Sequence, residues 1–181
     1  DAAVLVDLGG DDRYEGPTGA TPSLDVPVSI AIDCAGDDVY EYLSDEAPAQ
    51  GAAYLGVGVL IDDGGDDTYR AGSYAQGLGV FGLGLLFDGA GNDEYSLDYS
   101  GQGAGYFGLG YHFDVSGDDR FYLLGDGQGF GGPGGVGALA NFTGDDHYVA
   151  EPLEASERWR AEMAMEGLKV PEDQDPAAAS G

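Results

Sequence analysis

The residues of this chain that can do chemistry are carboxylates, and they return at a fixed spacing. Asp7 to Tyr14 reads DLGGDDRY, Asp33 to Tyr40 reads DCAGDDVY, and Asp62 to Tyr69 reads DDGGDDTY. Asp88 to Tyr95 follows as DGAGNDEY, Asp114 to Phe121 as DVSGDDRF, and Asn141 to Tyr148 as NFTGDDHY. The shared form is D-x-x-G-D-D-x-Y, present six times. Aligning the copies gives three acidic columns. The first holds Asp7, Asp33, Asp62, Asp88, Asp114 and Asn141; the second holds Asp11, Asp37, Asp66, Asn92, Asp118 and Asp145. The third is wholly acidic: Asp12, Asp38, Asp67, Asp93, Asp119 and Asp146. Sixteen of the 34 acids therefore sit in these turns. Oxygen donors without a nearby cysteine or paired histidine suit a hard cation, and Ca²⁺ before zinc or copper. The turn glycine lets the backbone take φ > 0 and aim carbonyls at an ion. These side chains are the candidate metal ligands, and calcium is the candidate cofactor.

The elements that must position them follow from the period. The motif glycines Gly10, Gly36, Gly65, Gly91, Gly117 and Gly144 are 26, 29, 26, 26 and 27 residues apart. Gln50, Gln76, Gln102 and Gln128 keep the same 26-residue step, each followed by glycine. A helical repeat is excluded by the chain's 34 glycines, each of which costs a helix about 1 kcal/mol relative to alanine. Leu55 to Ile61, LGVGVLI, alternates with the period of two that strands require. The fold expected is all-β: a parallel β-solenoid, β-helix or β-roll in type, of about six coils stacked at about 4.8 Å. Carboxylates repeated at that spacing repel by about 1 kcal/mol in water and by several in a poorer dielectric. Arg13, Arg70, Arg120 and His147 are too few to offset them. One ion between adjacent turns relieves the repulsion, giving about five sites fed by two coils each. Such sites form only when coils stack, so binding is part of folding.

The remaining columns get packing roles. All three acidic columns are expected at the surface of one corner. Tyr14, Tyr40, Tyr69, Tyr95, Phe121 and Tyr148 are read as a stacked aromatic core with hydroxyls at its boundary. The glutamines are read as an amide ladder bonding coil to coil. The glycine columns either admit a second wall of the solenoid or make a flat outer face.

Asp88 to Ser96, DGAGNDEYS, resembles the G-G-x-G-x-D-x-U-x nonapeptide of the RTX (repeats-in-toxin) calcium-binding β-rolls. That resemblance implies that Asp93 and its column are ligand aspartates and that Tyr95 and its column point inward. The chain departs from the family in two ways. The motif comes once per 26 residues rather than back to back, and the third-position glycine is often missing.

Residues 1–150 are read as the repeat body, 151–168 as a C-terminal capping helix and 169–181 as an acidic, Pro- and Ala-rich tail or linker. Pro152 suits the first turn of that helix and Gly167 its C-cap, while Trp159 and Met163 share a face. Ser44 to Glu46, in the one 29-residue interval, is expected to bulge from a corner. The start at Asp1 without a cap is read as pointing to further coils or another domain upstream in a parent protein.

A formal charge of −28 repels nucleic-acid phosphates and anionic membranes, so neither nucleic acid nor membrane insertion is expected. Cys34 is the sole cysteine, which excludes an internal disulfide. Catalysis needs a singular constellation, and no catalytic residue is assigned: His112 and His147 break the repeat but have no nucleophile beside them. A flat threonine row, as ice binding would want, does not occur. The function expected is a calcium-binding module serving as structural or adhesive scaffold within a larger exported or surface protein, with a surface glycan or protein as partner. Extracellular calcium modules work at about 10⁻⁴–10⁻³ M, which places it outside the cell or on its surface. The alternative is a glycan-binding or glycan-cleaving β-helix using tyrosines outside the motif, among them Tyr54, Tyr74, Tyr99, Tyr106, Tyr111 and Tyr122.

Overall fold

The structure, a computed structural model, describes residues 1–150. The helix expected over 151–168 and the tail over 169–181 lie outside the described residues. In chain order the strands are β1 (Ala2–Val6), β2 (Arg13–Glu15), β3 (Val28–Asp33), β4 (Val39–Tyr42), β5 (Ala53–Tyr54), β6 (Val57–Asp62), β7 (Thr68–Ala75) and β8 (Gly79–Val80). They continue with β9 (Leu83–Asp88), β10 (Glu94–Gly101), β11 (Gly105–Tyr106), β12 (Leu109–Asp114), β13 (Arg120–Gly125), β14 (Val136–Asn141) and β15 (His147–Ala150). They form a three-sided parallel solenoid of about six coils. Sheet A runs β1-β3-β6-β9-β12-β14, sheet B runs β2-β4-β7-β10-β13-β15, and a short sheet C runs β5-β8-β11. Each complete coil passes from an A strand through the acidic turn to a B strand, then through the Gln-Gly turn to a C strand and back.

The strand pairings of the described residues are all parallel and join residues one period apart, such as Asp62 with Asp88, Asp88 with Asp114 and Tyr69 with Tyr95. Like residues therefore stack on like. In β6, β9 and β12 alternate residues are buried, so each strand turns one glycine, one large residue and one aspartate inward. Those inward glycines answer the question left by the sequence. A Cβ on Gly84 would lie 2.0 Å from the Leu78 carbonyl oxygen, so the column lets a second wall approach closely.

The aromatic column is the core. Rings of Tyr14, Tyr40, Tyr69, Tyr95, Phe121 and Tyr148 stack with centroids 4.7–4.8 Å apart. Tyr40, Tyr69, Tyr95 and Phe121 are fully buried. Ala31, Leu60 and Leu86 pack beside them. A second cluster of Ala49, Ala71, Ala75, Leu97 and Leu123 fills the corner behind sheet B.

His112 occupies the leucine position of this core, in register with Leu86 on one side and Leu139 on the other. It is fully buried, edge-on to the Tyr95 ring at 4.5 Å, and neither ring nitrogen has a hydrogen-bond partner. Burial lowers its pKa to about 3. An unfolded histidine takes a proton near pH 6.5, which the native core refuses. Its cost to stability is therefore smallest above pH 6.5 and grows as pH falls toward 3. His112→Leu, which restores the column residue, should raise stability by about 1–3 kcal/mol at pH 8 and by more at pH 5. Urea unfolding at the two pH values measures this.

Candidate functional site: an acid ladder inside the solenoid corner

The turn from each A strand to the next B strand is held by its own aspartates. In the third column, one carboxylate oxygen of each residue accepts the backbone N–H of its counterpart in the preceding coil. Asp38 takes Asp12 N–H at 2.6 Å, Asp67 takes Asp38 at 2.6 Å, Asp93 takes Asp67 at 2.7 Å and Asp119 takes Asp93 at 2.9 Å. Asp146 ends the series by accepting Asp119 N–H at 3.1 Å. The second column does the same in the opposite sense. Asp11 accepts from Asp37, Asp37 from Asp66, Asp66 from Asn92, Asn92 from Asp118, and Asp118 from Asp145, at 2.8–3.1 Å. Tight turns cannot pair all their N–H groups with carbonyls, and these two columns supply the missing acceptors.

The first column meets the aromatic ladder. Each tyrosine hydroxyl donates to the first aspartate of the next coil: Tyr14 to Asp33, Tyr40 to Asp62 at 2.7 Å, Tyr69 to Asp88 at 2.6 Å and Tyr95 to Asp114 at 2.7 Å. The hydroxyls of Tyr40, Tyr69 and Tyr95 are thus inside the protein rather than at its boundary. A hydroxyl next to a buried carboxylate escapes desolvation by donating to it, and a residue pattern does not display that pairing across coils.

Two of the three acidic columns are likewise interior. Asp33, Asp62, Asp88 and Asp114, with Asp38, Asp67, Asp93 and Asp119, are all buried at 0–1% exposure, while Asp11, Asp37, Asp66, Asn92, Asp118 and Asp145 face solvent. The expectation of three surface columns is corrected accordingly. The first and third columns point to the same interior side of the turn. They converge in four clusters whose carboxylate oxygens lie within 4.8 Å of one another: Asp7, Asp12, Asp33; Asp38, Asp62, Asp67; Asp67, Asp88, Asp93; and Asp93, Asp114, Asp119. The last three are fully buried. Asp67 and Asp93 each belong to two clusters.

These clusters hold oxygens with nothing to pair with. Oδ2 of Asp38, Asp67 and Asp93 and Oδ1 of Asp88 and Asp114 are buried without a hydrogen-bond partner. Burial, reinforced by neighbouring carboxylates, pushes the pKa of Asp62, Asp67, Asp88, Asp93, Asp114 and Asp119 upward. Asp38 is raised to about 6 for the same reasons. Among the described residues, ion pairs join Arg13 to Glu15 and to Glu41 on the outer face of sheet B, away from the clusters.

The fifth interval shows what the others lack. There Asn141 replaces the first aspartate, and its Nδ2 donates to Asp119 Oδ2 at 2.9 Å. An amide makes this pair without any added charge. In the preceding interval the same positions are Asp93 and Asp114, and two ionised carboxylates cannot face each other undivided in a dry interior. Each buried cluster needs protons or a cation, and a cluster of three aspartates can hold a metal ion.

The glutamines bridge coils through backbone rather than through amide–amide contacts. Gln50 Nε2 donates to the carbonyls of Tyr40 and Arg70, each at 2.9 Å. Gln76 and Gln102 repeat the arrangement on Tyr69 with Ser96 and on Tyr95 with Tyr122. The tyrosines outside the motif do not line one face. Tyr54, Tyr74 and Tyr106 border a groove of about 730 Å³ between sheets B and C, one wall of which is the inserted loop with Asp45 and Glu46. Tyr111 stands on the outer face of sheet A and Tyr122 on that of sheet B.

The fold and site define a three-sided parallel β-solenoid with an acid ladder enclosed in one corner. No protein-family model matches the chain, and neither a curated protein nor a solved structure matches it.

Proposed function

We propose that the enclosed ladder binds Ca²⁺ and that the protein is a calcium-loaded scaffold, structural or adhesive, within an exported or surface protein. The observation that carries this reading is the convergence of unpartnered, buried carboxylate oxygens in the Asp67, Asp88, Asp93 cluster and its neighbours. That cluster offers three unpartnered carboxylate oxygens, one from each aspartate, and the 6–8 that Ca²⁺ takes would be completed by further oxygens such as turn carbonyls or water. The donor set holds neither nitrogen nor sulfur, which disfavours zinc and copper. Likeness of the turn to the RTX nonapeptide supports the same ion. Low-affinity calcium sites of about 10⁻⁴–10⁻³ M suit an extracellular setting, and regular stacking suits a scaffold that joins further coils or a neighbouring domain.

The test is a calcium titration by calorimetry on the intact chain, with Asp93→Ala and Glu94→Ala beside it. Asp93 serves two clusters and accepts the Asp67 N–H, whereas Glu94 is exposed. Asp93→Ala should abolish binding at two clusters and lower stability by more than about 3 kcal/mol, the cost expected for breaking a buried charged network. Glu94→Ala should stay within about 0.5 kcal/mol. Equal, small effects would sink the proposal.

The groove beside Tyr54 and Tyr74 favours a second reading, glycan binding. Phe81 and Phe107 there stack on each other at 5.0 Å, which leaves the exposed Tyr54 and Tyr74 rings as the platforms for a sugar. Retention on polysaccharide beads that is lost with Tyr74→Ser would establish it. Serine already fills the matching backbone position at Ser100, where φ is 57° against 59° for Tyr74.

A further inference from the structure

The outward positions of sheet A form a surface unlike any other among the described residues. They are Ala2, Val4 and Val6 on β1; Val28, Ile30 and Ile32 on β3; and Val57, Val59 and Ile61 on β6. The remaining strands continue it with Leu83, Leu85 and Phe87; Leu109, Tyr111 and Phe113; and Val136, Ala138 and Ala140. No position carries a charge, and the Tyr111 hydroxyl is the only polar side-chain group. The matching face of sheet B carries Arg13, Glu41, Arg70, Glu94, Arg120 and His147, as a solvated face should. In a chain of net charge −28, one whole face free of charge demands a cover.

These side chains are half-buried or exposed in the single copy, with Val4 67%, Leu109 41% and Val136 52% exposed. Six-residue strands and six ranks make the face roughly 20 Å by 25–30 Å, or roughly 500–600 Å². A contiguous apolar patch of that size is at the upper end of the largest patch on a typical monomer, and such patches are often functional.

We propose that a second copy of this chain covers it, outer sheet A against outer sheet A, related by a two-fold axis. Two such faces bury about 1,000–1,200 Å² together, which clears the threshold of about 1,000 Å² for a biological interface and reaches the lower bound of the stable ones. A single helix, about 10 Å wide, covers only about half of one face, and an anionic lipid surface is repelled by the charge. The face is also self-complementary. Its side chains stand in ranks one coil apart, a corrugation matched by another copy, and face-to-face sheets pack about 10 Å apart. The pairing rests on sheet A alone and does not depend on the calcium reading.

Sedimentation equilibrium of the intact chain in millimolar Ca²⁺ tests it, at salt concentrations from 50 to 500 mM on the order of the screening range. The expected mass is twice 18.6 kDa. Because both copies are strongly negative, pairing should tighten as salt rises. Leu85→Lys, in the middle of the face, should weaken it at least about 100-fold, as a charge buried in an apolar interface does. Ser96→Lys on sheet B should leave it unchanged. If Leu85→Lys loses its β-sheet circular dichroism, the Val59→Thr, Leu85→Thr double variant keeps strand propensity and should still weaken pairing at least about 10-fold. A monomer throughout the micromolar range, a dimer indifferent to folded Leu85 variants, or pairing that weakens with salt would each overturn the proposal. Flotation with neutral phosphatidylcholine vesicles in place of self-association would also overturn it, in favour of a lipid surface.

Discussion

Gly91→Ala is expected to leave no folded solenoid, whereas Gly125→Ala is expected to be tolerated. A Cβ on Gly91 would sit 1.6 Å from the Gly65 carbonyl oxygen, and the same collision repeats along the column at Gly36, Gly65, Gly117 and Gly144, at 1.5–1.6 Å. The obstacle is backbone of the adjacent coil, which cannot rotate away as a side chain can. Relief would require neighbouring turns to separate by more than an ångström. That movement would break the Gly65 N–H bond to the Ala90 carbonyl and the Asp67-to-Asp93 rung. Coils in a solenoid are stabilised by their neighbours, so a lesion in a central turn uncouples the two halves. A loss well above about 4 kcal/mol is expected, beyond the ordinary range of point substitutions. Gly125 has no such neighbour: its Cβ would meet only the Tyr99 ring at 3.5 Å. Far-UV circular dichroism of both variants in the presence of Ca²⁺ decides the matter, and a folded Gly91→Ala protein would show that the turns are not packed backbone to backbone.

That column also shows what a sequence pattern carries and where it stops. A 26-residue period with Gly, Asp and Tyr at fixed offsets leaves a parallel stack as the arrangement that repeats every contact. The coil number and the inward tyrosines follow from it. The period does not say which residues of one coil meet which of the next. Tyr69 bonds to Asp88, 19 residues later, and Asp67 N–H to Asp93, 26 residues later. These offsets differ because one contact crosses the corner diagonally while the other climbs the stack. Without them, the aspartates read as ordinary surface acids, since charged residues are seldom buried. The outer face of sheet A was hidden for a related reason. Alternation of glycine with large apolar residues in Leu55 to Ile61 leaves open whether the glycines face a second wall or the solvent, and with it which large residues face the core. In the solenoid the glycines and Leu60 point inward while Val57, Val59 and Ile61 point out. Close approach of the second wall leaves room for nothing larger than glycine there.

Asn141 bears on the chemistry of the ladder as much as on its end. The carboxamide at this position donates a hydrogen bond to Asp119 in the last interval without adding a charge. Had the turns needed only that bond, an asparagine in every coil would have served without burying charge. Aspartate stands instead at Asp33, Asp62, Asp88 and Asp114. Buried carboxylates cost stability unless their charge is compensated; an amide can lend an oxygen to a cation but not the negative charge that offsets it.

The pH profile separates a cation ladder from a proton ladder. With EDTA present, stability should fall as pH rises from 4 to 8. The sign follows from the carboxylates of Asp38, Asp67, Asp88, Asp93 and Asp114, whose pKa values are raised in the folded protein, chiefly by desolvation and Asp38 to about 6. The native state then binds more protons than the unfolded chain, in which aspartate ionises near 3.9. Their contribution is fully present below that value and is lost as pH climbs through the folded values. His112 acts oppositely, but it is one group against many. Adding 10 mM Ca²⁺, about 10 to 100 times the dissociation constants typical of extracellular modules, should add about 1.4–2.7 kcal/mol per site. Three buried clusters make this about 4–8 kcal/mol, or a midpoint rise on the order of 10–30 °C at pH 7.5. At pH 4 protons compete for the same oxygens, so the calcium effect should shrink to a small fraction of that. Thermal unfolding by circular dichroism at both pH values, with EDTA, Ca²⁺ and Mg²⁺, measures each term. A fall with pH that calcium does not reverse would show that shared protons hold the coils together. A calcium effect equal at both pH values would place the ion outside the buried ladder.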